Sequence, residues 1–328
     1  MTPLALHVSA FLRERLPIER RASEHTCDTY AYAFQLLFEF AAKTKKTRPS
    51  ALHLEDIDAT LVLAFLQHIE RDRQNSVVTR NCRLAAIKSF MRFVEYREPS
   101  ALDQVRRVLA IPKKKADSRL VGYLVRAEMQ AILDAVDPTS KSGVRDRAML
   151  LVGFGGGLRV SEIVGLRLDD VVLHPKPSIF VHGKGRKERL LPLWKETAQA
   201  LRAWLKVRRC DGLELFANRH LGPMSRSGFA YVLRRYVGIA AKNCVSLRNK
   251  RVSPHTLRHT CAMLTLQATH DIRKVSLWLG HATITTTEIY TRVDPTEKLE
   301  AIEAVLPPNM RRGRFRPPDK LLAALHER

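Results

Sequence analysis

Two imidazoles, a guanidinium and a phenol gather between Ser253 and Tyr290, in SPHTLRHTCAML and then LWLGHATITTTEIY: His255, Arg258, His281 and Tyr290. Packing alone rarely calls for that set. Upstream, GLRVSEI adds Arg159 and HGKGRKERLLPL adds Lys184. Together these residues describe a cationic site around one phenolic nucleophile. Such cations hold the non-bridging oxygens of a phosphodiester and stabilise the charge that grows on them during displacement at phosphorus. A free phenol titrates near about 10, so the cluster is also expected to favour the phenolate.

The elements that carry these side chains are legible. Pro254 suits the first turn of a helix. His255 and Arg258, three apart, share a face of it, and His259 lies four beyond His255 on the same side. HTLRH therefore looks like an H-x-x-x-H metal pair. It lacks the glutamate of H-E-x-x-H and a third ligand at the usual spacing, so no metal is assigned. DIRKVSLWLGH reads as a short helix stopped by Gly280, which leaves His281 free to point into a cleft. TITTTEIY then makes one or two helical turns that carry Tyr290. Gly155, Gly156 and Gly157 predict a sharp turn with a positive φ, delivering Arg159 to the start of a short helix. A cation there opposes the macrodipole unless an anion lies nearby, which points to an anion site. No G-x-x-x-x-G-K-[ST] follows, so a nucleotide P-loop is rejected. SIFVHG and RLLPL read as two strands joined by a tight basic turn. Lys184 sits there between Gly183 and Gly185, with Arg186 and Lys187 after it. A tip so basic is placed to enter a groove; a merely solubilising turn is the plain alternative.

The remaining helices read as scaffold: Arg126 to Val136, Val144 to Phe154, Glu196 to Arg208, and Ser227 to Ala241. In the first hundred residues, a helix over Asp28 to Ala42 is expected, with Thr26 or Asp28 as cap. A second starts near Asp58. A third follows Ser76, with Leu84, Ile87, Phe90, Met91 and Val94 on one face. Its other face offers Arg80, Asn81, Arg83 and Lys88, which is either a solvated surface or a set of contacts to phosphates and base edges. IPKKKADSRL, with Lys113, Lys114 and Lys115, reads as a basic linker. The expected organisation is a helical domain over 1–110, a linker over 111–119, a second domain over 120–305, and a basic, proline-bounded tail over 306–328.

At 328 residues the chain is long enough for two cores. Lysine and arginine number 56 against 33 acidic residues, a net charge of +23, so a polyanion is the expected partner and nucleic acid the leading one. No apolar run approaches the roughly 18 residues of a spanning helix, and no signal-peptide pattern opens the chain. The five cysteines are scattered and form no C-x-x-C pair, which argues for a reducing, cytoplasmic setting without disulfides or zinc.

Taken together and in this order, the four motifs resemble those of the tyrosine recombinase (phage integrase) family, nearest in style to its Xer-type and transposon-borne members. The resemblance is generic over residues 1–110 and specific from GLRVSEI through EIYTRV. It implies a mainly α fold with a small antiparallel sheet: an N-terminal helical, SAM-like core-binding domain and a catalytic domain that clamp DNA between them. By the same resemblance, Arg159 and Arg258 are the catalytic arginines, Lys184 is the general acid, and His255 is a general base or proton shuttle. His281 donates to a phosphate oxygen, Tyr290 is the nucleophile, and Glu162 orients the site. Gly156 departs from the Thr or Ser that relatives often carry. The implied reaction cuts and rejoins strands through a 3′-phosphotyrosine and a Holliday junction, without metal or cofactor. The implied partners are double-stranded DNA and sister subunits, in a homo-tetramer or a hetero-tetramer with a related recombinase. The setting would be cytoplasmic and nucleoid-associated. A type IB topoisomerase-like enzyme and a non-catalytic DNA-binding accessory factor are the alternatives.

Overall fold

Apolar residues at helical spacing account for most of the regular structure. The computed structural model describes residues 3–116, 122–183, 188–208, 212–281, 283, 284, 287, 288 and 290. The chain divides into two compact units, Met1–Ser118 and Arg119–Arg328. Among the described residues no helix is long and apolar enough to cross a membrane.

In the first unit, α1 (Leu4–Ala10) runs into a π-helical stretch over Phe11–Glu19, where the Arg20 amide reaches five residues back to the Arg15 carbonyl. Then come α2 (Glu24–Lys45), α3 (Ala59–Arg71), α4 (Val77–Val94) and α5 (Leu102–Ala110). Asp58 and Ser76 cap α3 and α4, each side chain accepting the amide three residues on. The core is aromatic at its centre: Phe11 meets Phe34 and Phe90 edge-on, with centroids 5.9 and 5.5 Å apart. Helix α2 starts at Glu24, after Ser23, and not at Asp28. Its first turn is polar and so carries no apolar period from which to read it. Helices α1 and α5 bury only Leu4 and the pair Val105 and Val108, too little for a pattern to stand out.

The second unit is helical around a small sheet. α6 (Arg126–Asp134), α7 (Lys141–Gly155) and α8 (Val160–Val164) precede it, and α9 (Lys195–Val207), α10 (Arg226–Ala240), α11 (Pro254–Thr269) and α12 (Ile272–Leu279) follow. The sheet has three antiparallel strands in the order β1 (Val171–Val172), β2 (Ser178–His182), β3 (Glu188–Pro192). The two-residue β1 is too short to show alternation, and only β2 and β3 were expected. Ile179, opposite Leu191, and Val181, opposite Arg189, face inward. Helix α7 packs on α9 and α11, burying Met149, Leu150 and Val152 with Leu201 and Leu257.

A polar knot ties the start of this unit to the helix that matters most. Glu128, buried on α6, accepts hydrogen bonds from Lys250 Nζ at 2.7 Å, Ser246 Oγ at 2.6 Å and the Val125 amide at 2.9 Å. The Leu124 amide donates to Thr260 Oγ1 on α11 at 2.9 Å. Burial alone raises the Glu128 carboxyl, but the bonds from Lys250, Ser246 and Val125 outweigh it and hold the group below the ordinary range. Its contribution is therefore complete above the ordinary carboxylate range and lost as pH falls through the depressed value. Glu128→Gln should destabilise the second unit by about 1–3 kcal/mol at neutral pH. It should also flatten the acid side of the stability profile, as read by denaturant unfolding between pH 3 and 7.

Candidate active site

Local sequence chemistry brings the chosen side chains to one place. Gly157 has φ +57°, and a Cβ there would come within 2.6 Å of Leu279 and 3.1 Å of Cys261 Sγ. Only glycine lets this turn pass so close beneath α11 and α12. Gly156, by contrast, sits in the ordinary right-handed region at φ −83°. The turn ends at Arg159, whose amide donates to Glu162 Oε2 at 2.9 Å and so caps α8. On α11, Ser253 and Thr256 cap each other's backbone, and Pro254 opens the helix. Gly280 stops α12 at φ +64°, and a Cβ on it would lie 3.0 Å from Arg189 Cδ.

The centre of the site is the Glu162 carboxylate, in a residue 6% exposed. Arg159 Nη1 donates to its Oε1 at 2.8 Å, while Arg189 grips both oxygens, at 3.2 and 2.9 Å. Arg258 Nη1 lies 4.0 Å from Oε2. Burial pushes the Glu162 carboxyl up, but Arg189 and Arg159 overcome this and keep it below its ordinary value. Arg258, 4% exposed, spends its fork on two carbonyls, donating to Gly157 O at 2.6 Å and to Leu279 O at 2.8 Å. Burial and then Arg159 bring it down to about 10, so it stays a cation at neutral pH. Arg159 keeps 28% of its side chain exposed and is the more open of the two.

Tyr290 is inside, at 1% exposure. Its hydroxyl pairs with His259 Nδ1 at 2.9 Å, and its ring lies nearly parallel to His281, centroids 6.5 Å apart. His281 Nδ1 is taken by Thr287 Oγ1 at 2.8 Å. His255 is exposed at the outer end of α11, its ring 6.4 Å from that of His259. Burial pushes Tyr290 up to about 12, against the pull of Arg258 and Arg159. The cations do favour the phenolate, as expected, but desolvation of the anion outweighs them. Burial also lowers His259, helped by His255 and Arg258, and His281, helped by Arg258 and Arg159, each to about 4. Both rings are neutral. Beside them an open groove of roughly 440 Å³ is lined by Arg189, Arg273, Ser276, Gly280 and His281.

The fold therefore brings together Arg159, Glu162, Arg258, His281 and Tyr290, with His255 at the edge. Lys184, Arg186 and Lys187 lie outside the described residues, as does the tail over 306–328. Two residues of the site were missed in the sequence. His259 stands out in the sequence only as half of a metal pair, although its spacing from His255 puts it on the site face. Arg189 could have been found by alternation, since Leu191 faces inward and Arg189 is two residues before it. Among the described residues no cluster of three or more metal-ligating side chains occurs.

The polar face of α4 is less open than its composition suggests. Arg80, 4% exposed, donates to Pro112 O at 3.0 Å, and Asn81 exchanges two bonds with the Lys114 backbone. Lys88 donates to Leu109 O at 2.6 Å, and Arg83 donates to Thr29 O at 3.3 Å and lies over the Tyr32 ring. Arg80, Asn81 and Lys88 thus bind residues 109–114 to α4, and Arg83 ties α4 to α2. Lys113, Lys114 and Lys115 remain exposed, with Lys114 Nζ 2.7 Å from Glu70.

Known proteins match the chain along most of its length. The phage integrase family matches residues 123–297, and the phage integrase N-terminal SAM-like domain matches residues 8–98. The y4rC protein of Sinorhizobium fredii, assigned by name to the integrases and recombinases, is 42% identical over 324 residues, covering 98% of both chains. Tyrosine recombinase XerC of Pelotomaculum thermopropionicum is 33% identical over 299 residues, covering 88% of this chain and 94% of its own. The fold is shared with XerH recombinase bound to a palindromic difH substrate, at TM-score 0.68 and 23% identity over 90% of this chain and 84% of that one. It is also shared with the Tn1549 transposon integrase in complex with a circular intermediate DNA, at TM-score 0.69 and 16% identity over 93% of this chain and 100% of that one. A mainly helical fold with a small antiparallel sheet, the Arg159, Arg258 and Tyr290 motifs in order, and these relatives lead to one conclusion: the chain belongs to the phage integrase family of tyrosine-type site-specific recombinases.

Proposed function

We propose that this recombinase cuts and rejoins duplex DNA through a covalent 3′-phosphotyrosine on Tyr290 and exchanges strands between paired sites by way of a Holliday junction. The observation that carries this reading is the meeting of two guanidiniums, Arg159 and Arg258, around Glu162 beside a buried phenol. Tyr290 Oη forms a bond to phosphorus as the bond from phosphorus to the 5′-oxygen breaks. The leaving oxygen takes a proton from Lys184, and His255 passes the phenolic proton on to solvent. Arg159 and Arg258 hold the non-bridging oxygens, and His281 donates to one of them. The phosphodiester bond energy is kept in the enzyme linkage, so neither metal nor nucleotide is required. A 5′-hydroxyl of the partner strand then reverses the step. The sites belong to a mobile element or to a replicon that must be resolved from dimers, and sister subunits of this chain or a related recombinase complete a tetramer.

The first unit, with its basic extension, supplies sequence-independent grip. Lys113, Lys115 and the basic tip over Lys184, Arg186 and Lys187 contact phosphates. Arg80, Asn81 and Lys88 act mainly by holding that extension on α4, and Arg83 by bracing the same helix.

Three outcomes test this reading. On nicked suicide substrates from the flanks of the native gene, the wild-type chain should form a covalent adduct. Tyr290→Phe should form none while binding the same DNA within about twofold, and an adduct with Tyr290→Phe would overturn the assignment. Arg159→Ala, at a partly open position that spares the fold, should slow adduct formation by at least about 10²-fold. Lys113→Ala with Lys115→Ala should weaken binding to all sequences alike. It should also reduce the slope of log affinity against log salt by about 1 per lost phosphate contact.

A further inference from the structure

The Tyr290 hydroxyl has one nitrogen within hydrogen-bonding distance among the described residues, and it belongs to His259. The two rings are tilted by 58°, centroids 5.6 Å apart, so the hydroxyl meets His259 Nδ1 and does not stack on the ring. His281 lies against the phenol face instead, with its own Nδ1 engaged by Thr287. His255 is a full turn away on the outer end of α11. A buried phenol that finds a single acceptor donates to it, which puts the hydrogen of the neutral His259 ring on Nε2, the side away from the phenol.

We propose that His259 is a catalytic residue of strand transfer: its Nδ1 takes the phenolic proton as Tyr290 attacks phosphorus, and returns it when the linkage is resolved. The assignment rests on the phosphotyrosine reading above. The bookkeeping closes without a further reactant. The O–H bond of Tyr290 breaks and an N–H bond forms on His259, while the bond from Tyr290 Oη to phosphorus replaces the bond to the 5′-oxygen. His255, exposed beside His259 with ring centroids 6.4 Å apart, lets the pair exchange that proton with solvent between the two steps and take one back for the return.

The electrostatics explain why such a base would idle until DNA arrives. Burial raises the phenol and lowers the imidazole, so both partners favour keeping the proton on Tyr290. The groups that act on the pair are His255, Arg258 and Cys261 from α11, Arg159 from the α8 start, and His281 against the phenol ring, with Glu162 and Arg189 behind Arg159. Cations predominate among them, and Arg258 directly depresses His259. A phosphodiester seated against Arg258 would offset the smaller, cationic part of that depression and leave the larger part, due to burial, in place.

Single-turnover adduct formation on a nicked suicide substrate tests this, with wild type, His259→Asn, His259→Leu and Tyr290→Phe compared from pH 6 to 9. Asparagine keeps an amide near the position of Nδ1 that can bond the phenol but cannot take its proton. His259→Asn should bind DNA like wild type and cleave at least about 10²-fold more slowly. Its rate should climb about tenfold per pH unit, because phenolate must then form beforehand, whereas the wild-type profile is flatter. His259→Leu should be at least as slow. Cleavage by His259→Asn within about threefold of wild type, or a pH profile parallel to wild type, would reduce His259 to a positioning residue and sink the proposal. An adduct with Tyr290→Phe would instead sink the phosphotyrosine reading itself, so the two failures are distinguishable. A thermal unfolding midpoint for each variant separates either result from misfolding.

Discussion

Everything in the site depends on one buried carboxylate. Arg159, Arg189 and Arg258 bring three guanidiniums into a space where their mutual repulsion would force them apart, and Glu162 is the anion that lets them stay. It does this from the first turn of α8, where it also accepts the Arg159 amide, so the same side chain caps a helix and gathers charge. Burying a carboxylate is costly unless its oxygens are filled, and four donors from Arg159 and Arg189 fill them. Arg189 extends the arrangement into the sheet and against Gly280, so β3, α8 and the end of α12 share a single fixed point.

Three cations against one carboxylate leave the centre of the site with a surplus of two positive charges. Water screens it at Arg159, which stays partly open, but hardly at Arg258, which is almost fully enclosed. Burial first, and the surplus after it, lower the neighbouring imidazoles, and the same enclosure raises the phenol. A displacement at phosphorus develops two negative charges on the non-bridging oxygens, which a surplus of this size complements. At the phenol itself, desolvation outweighs the attraction of the cations. A phenolate released before any phosphate arrived would serve nothing.

In the first unit the same economy operates with backbone carbonyls in place of a carboxylate. The cationic face of α4 reads as a surface, yet Arg80, Asn81, Arg83 and Lys88 mostly close bonds within the unit. A cation on a helix face finds a carbonyl whenever an extended segment crosses it. Residues 109–114 supply that segment, and the exposed lysines beyond it carry the charge outward.

Much was legible in the chain itself. Caps at Asp58, Ser76 and Ser253, the stop at Gly280, the positive φ in the Gly155–Gly157 turn, and the apolar face of α4 all follow from local chemistry acting within a turn or two. Residue types so ill-suited to a core single out Arg159, Lys184, His255, Arg258, His281 and Tyr290 as a set, whereas Glu162 enters only through the family resemblance. Three things were decided only by tertiary structure. Which histidine touches the phenol depends on the rotation of α11 against the segment that carries Tyr290, and the contact spans 31 residues of sequence. Arg189 matters because β3 passes behind Glu162, across 27 residues. The protonation of the phenol depends on burial, the sum of every neighbour packed around it. Local sequence specifies bonds a few residues long. Contacts and dielectric belong to the folded whole, so no motif could state them.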